Sequence, residues 1–276
     1  MPNISLNTFV GVGQPLVESD MHSALEILGM DPAFDMPKLW AVLLVESRGF
    51  GFLSTRKPKI LFEKHVFFRL TEGAFADSHP LLCSSTPGDY KGGEAEYVRL
   101  QEAIDLCRGR GIKEEKAMQS ASWGLGQVMG FNAKASGFKS ASQMAEQMAE
   151  SEAMQLSAMA SFMQHEGMDK FLREERWDQF AYRYNGPNYA ERGYHLKLEH
   201  EFDKFSSGIT RDLRARAVQG ALIYLGYRPG DPDGIVGQNT KKAIAAFCSD
   251  EGMGLSSELD DQIFQAIMSK AGLEIY

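Results

Sequence analysis

Apolar residues recur at helical spacing along several long stretches of the chain, and this pattern predicts a mainly helical protein. The stretch "DMPKLWAVLLVE" combines Asp35, an expected N-cap, with a proline in the first turn, which predicts a buried helix to about Glu46. Its seven consecutive apolar residues, 39–45, also fit a buried strand, and periodicity leaves both open. Further helices are predicted over "GGEAEYVRLQEAIDLCRGRG", residues 140–165 and "WDQFAYRYNGPNY".

A less helical segment follows the first apolar run. "SRGFGFLSTRKPKILFEKHVFFRL" is richer in glycine, β-branched and aromatic residues, and it predicts loops or a short hairpin before a helix at about 63–70. A stripe of long apolar side chains within 140–165 predicts core packing rather than a binding surface. Its members are Met144, Met148, Met154, Met159 and Phe162.

The pattern changes once, in "FDKFSSGITRDL", where Ser206, Ser207 and Gly208 interrupt two helical patterns and Thr210 is a potential cap. We therefore predict a large domain over 1–205, a linker over 206–210 and a small domain over 211–276. The small domain reads as three helices, the last in "SSELDDQIFQAIMSKAG" with a serine cap. The expected fold class is mainly α, with a small β and loop region and a three-helix module.

Composition narrows the possible partners. The 276 residues include 29 Lys and Arg against 37 Asp and Glu, giving a net charge of −8, which argues against nucleic acid or an anionic membrane as a partner held by bulk charge. Three cysteines without metal-site spacing suggest free thiols made in a reducing cytoplasm. The N-terminal sequence lacks the pattern of a signal peptide. We expect a monomer without stable membrane association.

Three short stretches carry candidate chemistry: "VESRGFGF", "SWGLGQVMG" and "AYRYNGP". Each is weak alone, but together and in this order they resemble the motifs of the lysozyme superfamily, particularly goose-type lysozymes and soluble lytic transglycosylases. The longer strings "RKPKILFEKHVF", "SWGLGQVMGFN" and "YNGPNYAERGYHLKL" are similar to the N-acetylmuramidase domain of phage endolysins. The resemblance covers roughly residues 20–205 and implies a lysozyme-like fold.

Glu46 is the candidate catalytic acid that this resemblance implies. Cleaving a β-1,4 glycosidic bond needs a protonated acid beside the leaving oxygen, and a carboxyl group against apolar residues stays protonated nearer neutral pH. Residues 42–45 supply that apolar context. Ser47 is a candidate substrate contact, with helix termination as its alternative. Taken without the other two motifs, Glu46 is better explained as a solvated helix end than as a catalyst.

The other two motifs imply a substrate cleft. By resemblance, Gln127 contacts sugar N-acetyl or hydroxyl groups, and Trp123 packs beside a sugar ring or, equally well, in the core. Tyr184 and Asn185 match the family's Tyr-Asn pair, whose tyrosine lies near the acid. Tyr182 is an alternative for that tyrosine, because related families read Ala-Tyr-Asn where this chain reads Ala-Tyr-Arg-Tyr-Asn.

A second carboxylate would decide the type of reaction. An inverting hydrolase needs a base, a retaining one needs a nucleophile, and a lytic transglycosylase needs neither, because the sugar's own 6-hydroxyl attacks. Glu63 is the first candidate, with Asp89 and Glu94 behind it; a salt bridge from Glu63 to Arg56 or Lys59, or to a helix end, is the structural alternative. The pattern implies no metal and no organic cofactor.

The small domain carries its own motif. Leu-Gly-Tyr followed by Asp-Gly-Ile-Val-Gly resembles the common peptidoglycan-binding domain from about Arg211 onward. The resemblance implies a muropeptide groove at Tyr227, Asp233, Gly234 and Gly237. Loop geometry and helix capping are the alternative explanation of these residues.

Together the resemblances imply a bacteriophage endolysin that hydrolyses the bond between N-acetylmuramic acid and N-acetylglucosamine in bacterial peptidoglycan. Such a protein is bacteriolytic, is made in the host cytoplasm and reaches the cell wall after the membrane is permeabilised. The alternatives are a lytic transglycosylase acting on the same bond and a non-catalytic wall-binding protein. Chitinase activity is disfavoured by the small domain.

Overall fold

The computed structural model describes residue 4, residues 6–254 and residues 256–274. Within them the chain is mostly helical with one small sheet, which confirms the expected fold class. The strands are β1 (Ile60–Phe62), β2 (Ala121–Trp123) and β3 (Val128–Met129). The helices are α1 (Glu18–Ile27), α2 (Pro32–Ser47), α3 (Lys64–Thr71), α4 (Glu94–Gly109), α5 (Glu115–Gln119), α6 (Ala141–Met148), α7 (Glu152–His165), α8 (Asp169–Arg173), α9 (Trp177–Asn185), α10 (Tyr194–Ser206), α11 (Leu213–Tyr224), α12 (Gln238–Asp250) and α13 (Asp261–Lys270).

The apolar run before Glu46 is helical, because it belongs to α2. The helix begins one turn earlier than the sequence predicts: Asp31 accepts the Ala33 amide at 2.9 Å, and Pro32 occupies the first turn. Asp35 is therefore not the cap, and its carboxylate instead accepts the Asp31 amide at 2.9 Å. The C-terminal end of α2 is sharp, since Arg48 adopts a left-handed conformation with φ of 55°.

The sheet brings distant parts of the large domain together. The strand order is β1-β2-β3, with both pairs antiparallel; Ile60 lies opposite Trp123, and Trp123 opposite Val128. The predicted hairpin between 47 and 62 is reduced to one bridge, Phe52 with Pro58, because β1 pairs with a strand from the second motif instead. The helix expected after β1 forms as α3.

The methionine-rich segment is two helices rather than one. The helix is interrupted at Ser151, which is the N-cap of α7: its side chain accepts a hydrogen bond from the Met154 amide at 3.3 Å. The core interpretation of the stripe is confirmed: Met144, Met148 and Met159 are fully buried. These side chains fill the interior on which the sheet and α2 pack.

Two separate hydrophobic cores form. The larger one draws on residues from Leu6 to Leu198. The smaller one draws on α11, α12 and α13 and on Ala271 and Leu273, which follow α13. Neither predicted cap of the small domain is used: Asp212, not Thr210, caps α11, and Asp260, not a serine, caps α13. The three cysteines are buried free thiols.

No helix in the described part of the chain has the length and apolar character needed to cross a membrane.

Candidate active site

Glu46 lies in the last turn of α2, partly exposed but surrounded by protein atoms. Burial raises the pKa of its carboxyl group to about 8, although the Asn185 side chain, which donates to Oε1 at 3.4 Å, favours the charged form. At neutral pH the carboxyl group is therefore mostly protonated. A protonated carboxyl group that still reaches solvent has the character of a general acid.

Two tyrosines lie near Glu46. Burial and then the charge of Glu46 raise the pKa of Tyr184 well above its usual value, and the same two causes raise the pKa of Tyr194 to about 12. Both phenols therefore stay neutral hydrogen-bond donors. The Tyr184 ring stacks on Phe180 at 5.5 Å, and its hydroxyl donates to the Gly126 carbonyl at 2.5 Å. Sequence analysis did not single out Tyr194, although it lies in one of the family strings.

Tyr184, rather than Tyr182, is thus the tyrosine near Glu46. Tyr182 lies on the opposite side of α9 with 53% of its surface exposed, and its ring meets the edge of Tyr189 at 6.1 Å. It offers an aromatic face to solvent. A sugar ring packs readily on such a face.

Gln127 braces the turn between β2 and β3. It adopts a left-handed conformation with φ of 46°. Its side-chain amide donates to the Gly124 carbonyl at 2.8 Å and to the Lys59 carbonyl at 3.3 Å, and its oxygen accepts from Ser122 at 2.9 Å. Both amide hydrogens are engaged within the protein, so the side chain fixes the wall of the site and has little capacity left for a sugar.

Two residues expected to contact substrate are in the interior. Trp123 is fully buried, its indole donates to the Met118 carbonyl at 3.2 Å, and its ring meets Phe9 edge to face. Ser47 is also buried, and its hydroxyl donates back to the Leu43 carbonyl at 3.1 Å. The prediction that Trp123 and Ser47 contact substrate is therefore wrong. The alternatives, core packing for Trp123 and helix termination for Ser47, describe them.

Glu63 precedes α3 with 15% of its side chain exposed. Its carboxylate accepts from the Tyr90 hydroxyl at 2.9 Å and lies 3.1 Å from the His65 ring. The expected salt bridge to Arg56 or Lys59 is wrong, because Arg56 binds main-chain carbonyls and Lys59 donates to the Ser47 carbonyl at 3.0 Å.

The charge of Arg192 acts on one tyrosine near Glu63 and on another near Glu46. Burial first, and then the charge of Glu63, raises the pKa of Tyr90 to about 12, while Arg192 acts in the opposite direction. Arg192 likewise opposes the upward shift of the pKa of Tyr194, the neighbour of Glu46, although the net shift is upward. The positive charge of Arg192 thus acts on both phenols.

The other two candidate carboxylates are held by lysines. Asp89 pairs with Lys64, whose hydrogen bond holds the pKa of that carboxyl below its usual range. Glu94 accepts from Thr55 and from Lys57, the latter at 2.8 Å; burial raises its pKa, but these bonds outweigh burial and the net shift is downward. Both groups are stable anions engaged in structural pairs.

The site lies away from two surface pockets, and no cluster of metal ligands marks it among the described residues. In the described ranges, no three or more His, Cys, Asp and Glu side chains are arranged to hold a metal ion. Two large surface pockets, one along α4 and one between the domains near Trp40, do not include Glu46. The site is defined by its ionisable groups and their hydrogen bonds.

In the small domain, the candidate groove residues have structural partners. The Asp233 carboxylate accepts from Gln219 and from the Ile235 amide, both at 3.0 Å. Gly234 has φ of +78°, and a side chain there would meet the Asp212 carbonyl at 2.9 Å. The Tyr227 hydroxyl donates to Asp250 at 2.8 Å. Gly237 has no such constraint and simply precedes α12. Loop geometry therefore accounts for Asp233 and Gly234.

Comparison with known protein families finds one match in the large domain and one in the small domain. The N-acetylmuramidase family matches residues 35–206.

The chain belongs to the N-acetylmuramidase family.

The peptidoglycan binding domain family matches residues 211–267. The chain is also similar to the crystal structure of a Burkholderia AP3 phage endolysin, with a TM-score of 0.62 and 36% identity over 71% of this chain and 72% of that one. No curated protein shows a significant match. This muramidase is thus a peptidoglycan glycoside hydrolase with a peptidoglycan-binding module, and peptidoglycan is its partner.

Proposed function

We propose that Glu46 protonates the oxygen of the β-1,4 bond between N-acetylmuramic acid and N-acetylglucosamine. The observation that carries the proposal is the pKa of about 8, which keeps a solvent-reachable carboxyl group protonated at neutral pH. After transfer, Glu46 becomes a carboxylate, and the Asn185 amide stabilises that charge. Neutral Tyr184 and Tyr194 keep the surroundings free of competing anions.

Water then captures the oxocarbenium-like sugar. Glu63 remains our candidate for assisting that water, since the charge of Arg192 acts both on Tyr90, which donates to Glu63, and on Tyr194 beside Glu46. We propose Tyr182 as a sugar platform on the same face, and Gln127 as a brace for the cleft wall. We propose that the reaction uses these side chains with neither a metal nor an organic cofactor.

One observation favours the rival transglycosylase outcome. Burial, opposed by the Asn185 hydrogen bond, explains the raised pKa of Glu46 without a nearby carboxylate. A reaction without a second carboxylate fits intramolecular attack by the 6-hydroxyl. Mass spectrometry of digested sacculi separates the two, because hydrolysis yields reducing muramic acid ends and transglycosylation yields 1,6-anhydromuramic ends lighter by one water. Anhydro products would defeat the hydrolase proposal.

We further propose that the protein is a phage endolysin, as its structural relative is. The catalytic domain would occupy 1–205, the linker 206–210 and the binding module 211–276, in a monomer made in the bacterial cytoplasm. Tyr227 and the loop of Asp233, Gly234 and Gly237 would border the muropeptide groove. Sedimentation of the full chain with sacculi tests wall binding separately from cleavage; a protein that binds sacculi and never cleaves them would be the non-catalytic alternative.

A further inference from the structure

The segment that follows Glu46, residues 48–52, lies between the two domains. A carbon atom added to Gly49 would meet the Pro232 carbonyl of the binding module at 2.2 Å. Phe50 is almost fully buried; its ring lies 5.6 Å from the ring of Tyr224 and so close to α11 that a side chain on Gly220 would meet it at 2.6 Å. The C-terminal module therefore packs directly against segment 48–52.

A buried ion pair joins the domains at the same place. Arg216 of α11 donates twice to Glu152 at the start of α7, at 2.6 and 2.8 Å, and both side chains are completely buried. The same carboxylate accepts the Gly51 amide at 2.8 Å and the Leu16 amide at 3.2 Å. Glu152 thus connects the module directly to the main chain after the catalytic helix.

The connection continues into the site through Lys59. Its amide donates to the Gly51 carbonyl at 2.7 Å, and its ammonium group donates to the Ser47 carbonyl at 3.0 Å, beside Glu46. The Lys59 carbonyl accepts from the Gly124 amide at 2.7 Å and from Gln127. Segment 48–52 is therefore tied to the end of α2 and to the β2–β3 turn.

A flexible tether would need none of these contacts. Domain interfaces that merely limit motion are usually polar and solvated. A buried arginine–glutamate pair behaves differently, because removing one partner leaves a charge without compensation and disturbs every group bonded to the other. Here the group bonded to Glu152 is the backbone of the segment after Glu46.

We propose that the C-terminal module is a working part of the catalytic site, in which Arg216, acting through Glu152, is a positioning residue for segment 48–52 and hence for Glu46. The module then serves cleavage itself as well as wall attachment. This inference rests on the proposed role of Glu46.

The test uses full-length protein and soluble, uncross-linked peptidoglycan glycan strands, so that attachment to the wall does not limit the rate. Arg216→Met breaks the pair, and the double variant Glu152→Gln with Arg216→Met removes both charges. Gly220→Ala keeps every charge and favours helix α11, but its new carbon displaces the Phe50 ring. The Gly220 variant is expected to fold even if Arg216→Met does not.

Matched controls exist for both kinds of change. Arg214→Met removes another arginine of α11, whose ion pair with Asp261 is exposed and stays within the module. Gly109→Ala places the same added carbon at the end of α4, where no atom lies within 4 Å. Both controls should cleave soluble strands like the wild type. Thermal melts establish that each protein compared is folded.

We expect kcat on soluble strands to fall roughly ten- to a hundredfold in the Arg216 and Gly220 variants, with little change in KM and with sacculus binding retained. The basic limb of the kcat–pH profile should also move to lower pH, because a displaced segment admits water to Glu46. Folded variants with wild-type kcat and an unmoved limb would overturn the inference. Glu46→Gln in the same panel separates the two proposals: if it stays active, the role of Glu46 fails instead.

Discussion

Asn185, the last residue of α9, donates its side-chain amide to Oε1 of Glu46 in the last turn of α2. The residues are 139 positions apart in sequence, and their hydrogen bond connects the motif "VESRGFGF" with the motif "AYRYNGP". The neighbouring Tyr184 connects "AYRYNGP" with "SWGLGQVMG", because its hydroxyl donates to the Gly126 carbonyl. The candidate site is therefore built from side chains whose partners lie on different elements.

Removing the Asn185 amide should alter the pH dependence of cleavage. The amide favours the charged form of Glu46, so Asn185→Ala should raise the pKa of Glu46 above about 8 and move the basic limb of the kcat–pH profile upward. The rate at neutral pH should fall about tenfold, since the departing proton leaves a less stabilised carboxylate. Initial rates on soluble glycan strands across pH measure both effects. A limb that stays in place or moves down would contradict the assignment.

The same pKa predicts how stability depends on pH. The folded pKa of Glu46 lies above the unfolded value of 4.5, so its contribution is fully present below pH 4.5 and is lost as pH rises through about 8. Glu46→Gln abolishes this loss. Relative to the wild type, its free energy of unfolding should rise between pH 4.5 and 9 by about 4 kcal/mol. Urea titrations at both pH values measure the difference, and a pH-independent difference would count against the raised pKa.

Tyr184 and Tyr182 provide a matched pair for stability. Tyr184→Phe removes the donor to the Gly126 carbonyl and should destabilise the fold by about 1–2 kcal/mol. Tyr182→Phe changes an exposed ring and should leave the free energy of unfolding unchanged. Parallel denaturant titrations test the pair. Equal effects would mean that the Gly126 contact contributes nothing.

The effects of mutating Arg216 and Glu152, the ion pair between the domains, on the free energy of unfolding should be strongly coupled. Arg216→Met leaves the Glu152 carboxylate buried without its cation and should cost about 3–5 kcal/mol. Glu152→Gln combined with Arg216→Met removes both charges and should cost less than Arg216→Met alone. A double-mutant cycle on thermal or urea unfolding measures the coupling. Additive single effects would show that the two side chains do not act as a unit.

The sequence predicts the helices and the position of Glu46 at the end of a buried helix well, because those signals are local and ordered. A helix ending in Glu46, a glycine turn and a Tyr-Asn pair each have a recognisable pattern, and their order along the chain adds to the signal. The helix caps were harder to assign. Asp31 and Asp35 both stand near prolines in the same stretch, and only the geometry distinguishes the cap from a residue inside the helix.

The directions of side chains are not encoded in a motif. Trp123 stands among site residues in sequence, yet it is buried because β2 is covered on both faces. No sequence pattern marked Arg216 and Glu152 as an ion pair. A charged residue on a mostly apolar helix is normally expected to face solvent, and only the packing of the two domains shows that these two side chains are buried together. Lys59 and Tyr194 lay in the family strings, but nothing in their spacing marked them as neighbours of Glu46.

The central claim is that Glu46 is the proton donor, and Glu46→Gln tests it most directly. The glutamine preserves shape and removes only the proton to be transferred. On soluble glycan strands at neutral pH, kcat should fall by about a hundredfold or more while the folded protein still binds sacculi. A Glu46→Gln protein that cleaves the strands within a few-fold of the wild-type rate would contradict the account.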